Sequence, residues 1–178
     1  MRFLLVLVPI LGAPLAHAPV LRYDLFPSLK RPLDGGSGIL GDNKTWRGAI
    51  VMIAGVVTAA LLLSLWPWYW SRIPREIRDA GPLLFGLLLG FAVVLGELPN
   101  SYLKRRIGIA PGTQRRSATG VAISLYDQVD FVPFVWLFLL PIWRMSAAQF
   151  AIALGVTLVV HLSINLVGYA IGARATRI

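Results

Sequence analysis

The chain has 178 residues, 57% of them apolar and 14% charged, with 17 Lys and Arg against 8 Asp and Glu and a net charge of +9. Soluble domains carry about a quarter charged residues, so this composition, with a mean hydropathy of +0.71, points to membrane spans; five of about 20 residues would absorb roughly 100. High apolar content and the absence of Cys exclude intrinsic disorder, a disulfide-built scaffold, a zinc-cysteine site and cysteine nucleophile chemistry. The basic residues sit in short loops between apolar stretches, so the expected partners are the bilayer, anionic lipid heads and phosphorylated substrates, with no nucleic acid.

In chain order, the first apolar run is 3–21. Arg2, a short apolar core and Ala16-His17-Ala18 imitate a secretory signal, but Pro19 follows the would-be cut directly, and an uncleaved span is expected. Next comes a glycine-rich loop over 33–48. Gly36 and Gly41 have the spacing of a P-loop, but Asp42 and Asn43 intervene before Lys44-Thr45 and no strand precedes it, so that reading fails. What remains is a loop able to turn backbone N–H groups on an anion, with Lys44 and Arg47 as cations, or simply a turn before a span.

The second run is 48–66. The loop 67–81 that follows, with Trp66, Trp68, Tyr69 and Trp70 around its start, reads as an interfacial aromatic anchor. In the third run, 82–99, Glu97 begins a stripe that Asn100, Ser101 and Lys104 continue at helical spacing and that runs into Lys104-Arg105-Arg106. Such a basic cluster is often a topology signal or a lipid-head contact. A carboxylate about two turns inside the run, however, needs a partner or a cation, which predicts a polar cavity beside this helix.

The fourth run, 125–143, opens with Asp127-Gln128-Val129-Asp130. Carboxylates three apart on a helix share a face, and hard oxygen ligands so placed suit Mg²⁺ held jointly with substrate phosphates; the plainer reading is a solvated helix start. In the fifth run, 147–172, His161, Asn165 and Tyr169 recur on one face, which interhelical hydrogen bonding explains.

Twelve of the 17 basic residues fall in 22–47, 100–124 and the C-terminal tail, while Arg2, Arg72, Arg75, Arg78 and Arg144 fall on the other side. The positive-inside rule then places both long loops and the C-terminus in the cytoplasm and the N-terminus outside. The expected fold is all-α and integral to the cell membrane, with about five transmembrane helices, residues 1–178 forming one membrane-embedded domain and its site facing the cytoplasm.

Several segments together resemble the CDP-archaeol synthase family: Gly41-Asp42-Asn43-Lys44-Thr45-Trp46-Arg47-Gly48, Gly96-Glu97, Ser101 with Lys104-Arg105-Arg106 and Pro111-Gly112, and Asp127-Gln128-Val129-Asp130-Phe131. Ser101-x-x-Lys104-Arg105 and the Asp-x-x-Asp spacing are more distantly similar to CDP-diglyceride synthetases. The resemblance implies an Mg²⁺-dependent cytidylyltransferase that joins CTP to a membrane lipid phosphate, of archaeal ether type or phosphatidate-like, and releases pyrophosphate. Carried over by position, Asp127 and Asp130, with Glu97 where the family more often has Asp, fall at the metal. Lys104, Arg105 and Ser101 fall at the reacting phosphates, and Lys44, Thr45 and Arg47 at the CTP phosphates. Residues 117–120 lengthen the stretch before the fourth run relative to the family. Attack of a phosphate oxygen on the α-phosphorus gathers negative charge, so catalysis of this kind rests on positioning and cationic neutralisation. The competing class is a non-catalytic membrane protein that binds or moves anionic lipids, for which Asp127 and Asp130 have no evident use.

Overall fold

The protein is described here by a computed structural model that covers residues 2–110 and 118–170. The Pro111-Gly112 step, Arg115, Arg116, Ser117, the end of the fifth run and the tail with Arg174 and Arg177 lie outside the described residues. Among the described residues the chain is all-helical, with one isolated antiparallel pairing, Pro32 with Thr45. A 3₁₀ helix Arg2–Leu11 leads into α1 (Gly12–Arg22), followed by α2 (Trp46–Ser64), α3 (Pro67–Trp70), α4 (Arg75–Ala80), α5 (Pro82–Arg106), α6 (Ala118–Tyr126), α7 (Val132–Leu139) and α8 (Ala147–Ala170). Four helical segments of the described residues are long and apolar enough to cross a bilayer: Arg2–Arg22, Trp46–Ser64, Pro82–Arg106 and Ala147–Val167.

The first run is part of the packed body. Val6 and Ala13 are buried in the same core as Val56, Phe85, Leu89 and Val132. Its tight winding has a local cause: the ring of Pro9 excludes the helical bond to the carbonyl four residues back. That carbonyl, on Leu5, instead accepts from the Tyr69 hydroxyl at 2.9 Å. Burial pushes the Tyr69 hydroxyl well above its ordinary pKa, so it stays a donor. Tyr69→Phe leaves the Leu5 carbonyl without this partner, and thermal unfolding in detergent is expected to show a loss of about 1–3 kcal/mol. The aromatic loop is therefore divided. Trp66 and Trp68 are exposed and stacked with ring centroids 5.0 Å apart, as an interfacial anchor should be, whereas Tyr69, Ile73 and Ile77 turn into the core.

α1 crosses α2 at Gly12 and Gly55, where a Cβ on either residue would strike the other's backbone. Small residues at such a crossing let the two backbones touch, the usual device of helices packed in lipid. α5, the longest helix before α6, packs on both α2 and α7, and its buried positions run from Phe85 to Ser101.

The fourth run departs from the expectation of one continuous helix over 125–143. The helix breaks at 127–131, between α6 and α7. Pro133 is the physical reason: its ring bars the helical bond to the Val129 carbonyl, and that carbonyl accepts instead from the Val132 amide at 3.0 Å. Gln128 N–H to Leu125 O at 3.2 Å and Val129 N–H to Tyr126 O at 2.9 Å complete a tight run of turns. Asp127 and Asp130 therefore sit in a turn and not on one helix face.

Candidate active site

The break is held against α5 by close backbone approach. A Cβ on Gly96 would lie 2.5 Å from the Cα of Phe131, so only glycine lets the two chains touch there. One turn further along α5, Asn100 is 1% exposed and its amide nitrogen donates to both carboxylates, at 2.5 Å to Asp127 Oδ1 and 3.0 Å to Asp130 Oδ2. The pair converges because one buried amide bridges it. Lys104, one further turn on, donates to the same Asp127 oxygen at 2.5 Å.

The loop before α2 supplies the facing wall. Thr45 has extended backbone and its hydroxyl oxygen accepts from the Gly48 amide at 3.2 Å, capping α2 in the way Ser, Thr, Asp and Asn do at helix starts. Leu33 N–H to Lys44 O at 2.8 Å and Trp46 N–H to Arg31 O at 3.0 Å tie the loop's two ends together. Lys44 then reaches across to form an ion pair with Glu97. Arg47, 7% exposed, donates to Asp24 Oδ1 at 2.7 Å and to the Leu25 carbonyl at 3.0 Å. Asp24 also holds Lys30, and the Lys30 bond first and the Arg47 bond second keep its carboxyl below the ordinary range.

The glycine-rich part of the loop does not open toward a ligand. The Asp34 carboxylate accepts from the Gly36 amide at 3.1 Å and the Leu40 amide at 2.8 Å, and the Leu40 bond leads in holding its pKa down. The loop's N–H groups thus turn on the protein's own anion. Gly35, Gly36 and Gly38 are off the cavity wall, and the loop contributes to it only from Asp42 onward.

Between these walls lies a cavity of about 950 Å³. Lys44, Thr45, Arg47, Glu97, Ser101, Lys104, Arg105, Asp127 and Asp130 all line it. So does an apolar flank from the first segment, including Ile10, Leu11, Pro14 and Leu21. Among the described residues the lining holds five Lys and Arg and four Asp and Glu, so it is not a plain anion trap. Basic and acidic groups stand side by side, an arrangement that suits an anion arriving with a cation. Three buried polar atoms lack a partner among the described residues: Arg47 Nε, Arg105 Nε and Asn100 Oδ1. The two arginines line the cavity with these nitrogens buried behind its surface, while Asn100 lies behind the wall and touches the two carboxylates through its nitrogen.

That oxygen set fits Mg²⁺, which takes one or two carboxylates and completes its octahedron with waters and substrate phosphates. Among the described residues no three His, Cys, Asp or Glu side chains gather into a metal-binding group, and Glu97, expected at the metal, is engaged by Lys44. An ion held by the Asp pair would have to draw its further donors from substrate and solvent.

Sequence reasoning had Asn100 only as a member of a polar stripe, and it missed Asp24, Lys30 and His17, which bear on the site from the first segment and its following loop. Asp24 carried no signal beyond being one of three acids in a basic loop. His161 does reach the cavity wall, its ring 5.9 Å from that of Phe131.

A family model described as CarS-like, CDP-archaeol synthase, matches residues 28–177. Among curated relatives, the CDP-archaeol synthase of Thermococcus onnurineus is 32% identical over 152 residues, covering 82% of this chain and 81% of its own. That of Halobacterium salinarum is 34% identical over 158 residues, 81% of each chain, and that of Methanosarcina barkeri 30% over 166 residues, 81% and 88%. The fold is also similar to a solved structure of an intramembrane enzyme for archaeal membrane lipids biosynthesis, with a TM-score of 0.65, 21% identity and 91% of each chain covered.

Proposed function

We propose, from the premise that this chain belongs to the CDP-archaeol synthase family, that it transfers a cytidylyl group from CTP to a membrane lipid phosphate, giving a CDP-lipid and pyrophosphate. The observation that carries this reading is the cavity in which the Asp127 and Asp130 carboxylates, bridged from behind by the buried Asn100 amide, face Lys44, Arg47, Lys104 and Arg105 beside an apolar flank. A lipid phosphate needs such a place. Its tails remain in the bilayer while its head enters a polar chamber. The relatives' names favour an archaeol-type ether lipid phosphate over an ester-acyl one.

In this mechanism an oxygen of the lipid phosphate attacks the α-phosphorus of CTP, and the bond to the β-phosphate oxygen breaks to release pyrophosphate. Asp127 and Asp130 would hold Mg²⁺, which when bound neutralises and orients the phosphates. Asn100 sets the spacing of the two carboxylates. Lys104 and Arg105 face the phosphates that gain charge, where a preorganised cation contributes most. Lys44 and Arg47 take the outer phosphates of CTP from carboxylates that already hold their side chains in place. Ser101, buried on the wall between Asn100 and Lys104, donates to the lipid phosphate. No general base is required, since the attacking oxygen is already anionic.

The test is incubation of purified protein with labelled CTP, Mg²⁺ and either an ether-isoprenoid or an ester-acyl lipid phosphate. CDP-lipid and pyrophosphate in equal amounts, faster with the ether lipid, are the expected result. Binding of lipid phosphate with no product would favour a lipid-binding protein instead. The charge asymmetry supports a location in the cytoplasmic membrane with this cavity facing the cytoplasm. With no native Cys, Ser37→Cys should be labelled by an impermeant reagent only after permeabilisation and Arg72→Cys in intact cells; the reverse pattern would invert the topology.

A further inference from the structure

Gln128 lies between the two carboxylates of the break, yet it is off the cavity wall and 8% exposed. Both ends of its amide are used. Its nitrogen donates to the Ser124 carbonyl in the last turns of α6 at 2.9 Å, and its oxygen accepts from Asn165 Nδ2 of α8 at 2.8 Å. Asn165 is itself buried, at 4% exposure. A run of turns lacks the bond ladder that would stiffen a helix, so side-chain bonds of this kind decide which way its residues face. One turn before Asn165 on the same face of α8, His161 sets its ring against Phe131, the residue that follows Asp130. α8 therefore grips the turn at two points.

We propose that Gln128 and Asn165 form a positioning clamp: α8, through one buried amide pair, fixes the turn so that Asp127 and Asp130 face a single cation. The inference rests on the reading of the cavity as a site for Mg²⁺ and CTP. Asn165 touches neither substrate nor metal and acts through Gln128 alone. Supporting residues of this kind typically change metal affinity by about 10–100-fold when removed.

The test uses the purified full chain in detergent, stripped of metal, with Mn²⁺ as a probe that electron paramagnetic resonance detects directly, in the presence of CTP. Gln128→Leu, Asn165→Leu and the double Leu variant are compared with wild type for Mn²⁺ half-saturation, unfolding temperature and turnover. Each single variant should raise the Mn²⁺ half-saturation at least about tenfold. The double variant removes both buried amides together, so it should regain much of the unfolding temperature lost by the singles while its Mn²⁺ binding stays as weak as theirs. Raising Mn²⁺ should then restore part of the turnover. If the double variant recovers wild-type Mn²⁺ binding, or the single variants bind normally and only melt earlier, the pair is packing and the clamp is refuted. A wild-type protein that bound no Mn²⁺ and made no CDP-lipid would overturn the reading of the site, and the clamp with it.

Discussion

Asp127→Asn and Asp130→Asn should each lower CDP-lipid synthesis at least roughly a hundredfold, about 2.7 kcal/mol of barrier, with the fold intact. Asn keeps the size and one carbonyl acceptor, and Asn100 Nδ2, which bonds both carboxylates, can still donate to it. What is lost is charge at the only pair of carboxylates that a single buried amide draws together among the described residues. Raising Mg²⁺ should recover part of the activity of a single variant and none of the double, because one carboxylate still offers an anionic ligand and two amides do not. Near wild-type synthesis by both single variants at low Mg²⁺, measured as labelled CDP-lipid formed, would remove the metal assignment and the mechanism built on it.

The second large effect is expected at Lys104. Its ammonium stands 2.5 Å from Asp127 Oδ1, at the edge of the acid pair where the proposed mechanism puts the reacting phosphate. Removing one such preorganised group typically costs about 10²–10³ in turnover, and Lys104→Ala should fall in that range. Arg72→Ala is the matched control. Arg72 caps Trp68 at 4.2 Å from the ring centroid and donates to the Trp68 carbonyl at 2.8 Å, at the other end of α2 and α5, so its loss should leave turnover unchanged. Combined with Asp127→Asn, the Lys104 variant should cost much less than the two single losses together, since both act on one charge cluster. Equal turnover of the Lys104 and Arg72 variants would reduce Lys104 to a topology signal.

Much of this was legible in the chain itself. Apolar runs and the scarcity of charge give an all-α membrane protein because burying backbone in lipid forces helices, a constraint that acts on each segment alone. Polar residues at the ends of such runs are too costly to be idle. The nine residues picked out by spacing or by resemblance, from Lys44 to Asp130, all line one cavity. The division of labour among them was not legible. Thr45 serves the start of α2, Glu97 holds Lys44, and the glycine loop closes on Asp34.

Most informative is the fourth run. Its hydropathy reads as one helix, and on that helix Asp127 and Asp130 would share a face by periodicity. Pro133 breaks the ladder, and the carboxylates meet instead through Asn100, 27 and 30 residues earlier in the chain, while Gln128 is fixed by Asn165, 37 residues later. Hydropathy and helical period are sums over neighbours in sequence, so the chain alone determined the all-helical membrane class, the four long apolar helices and many of the polar residues that line the cavity. Which carboxylate faces which cation depends on side chains brought together across helices, and tertiary packing alone decided it, because a buried amide with two free bonds must find its partners wherever the fold places them.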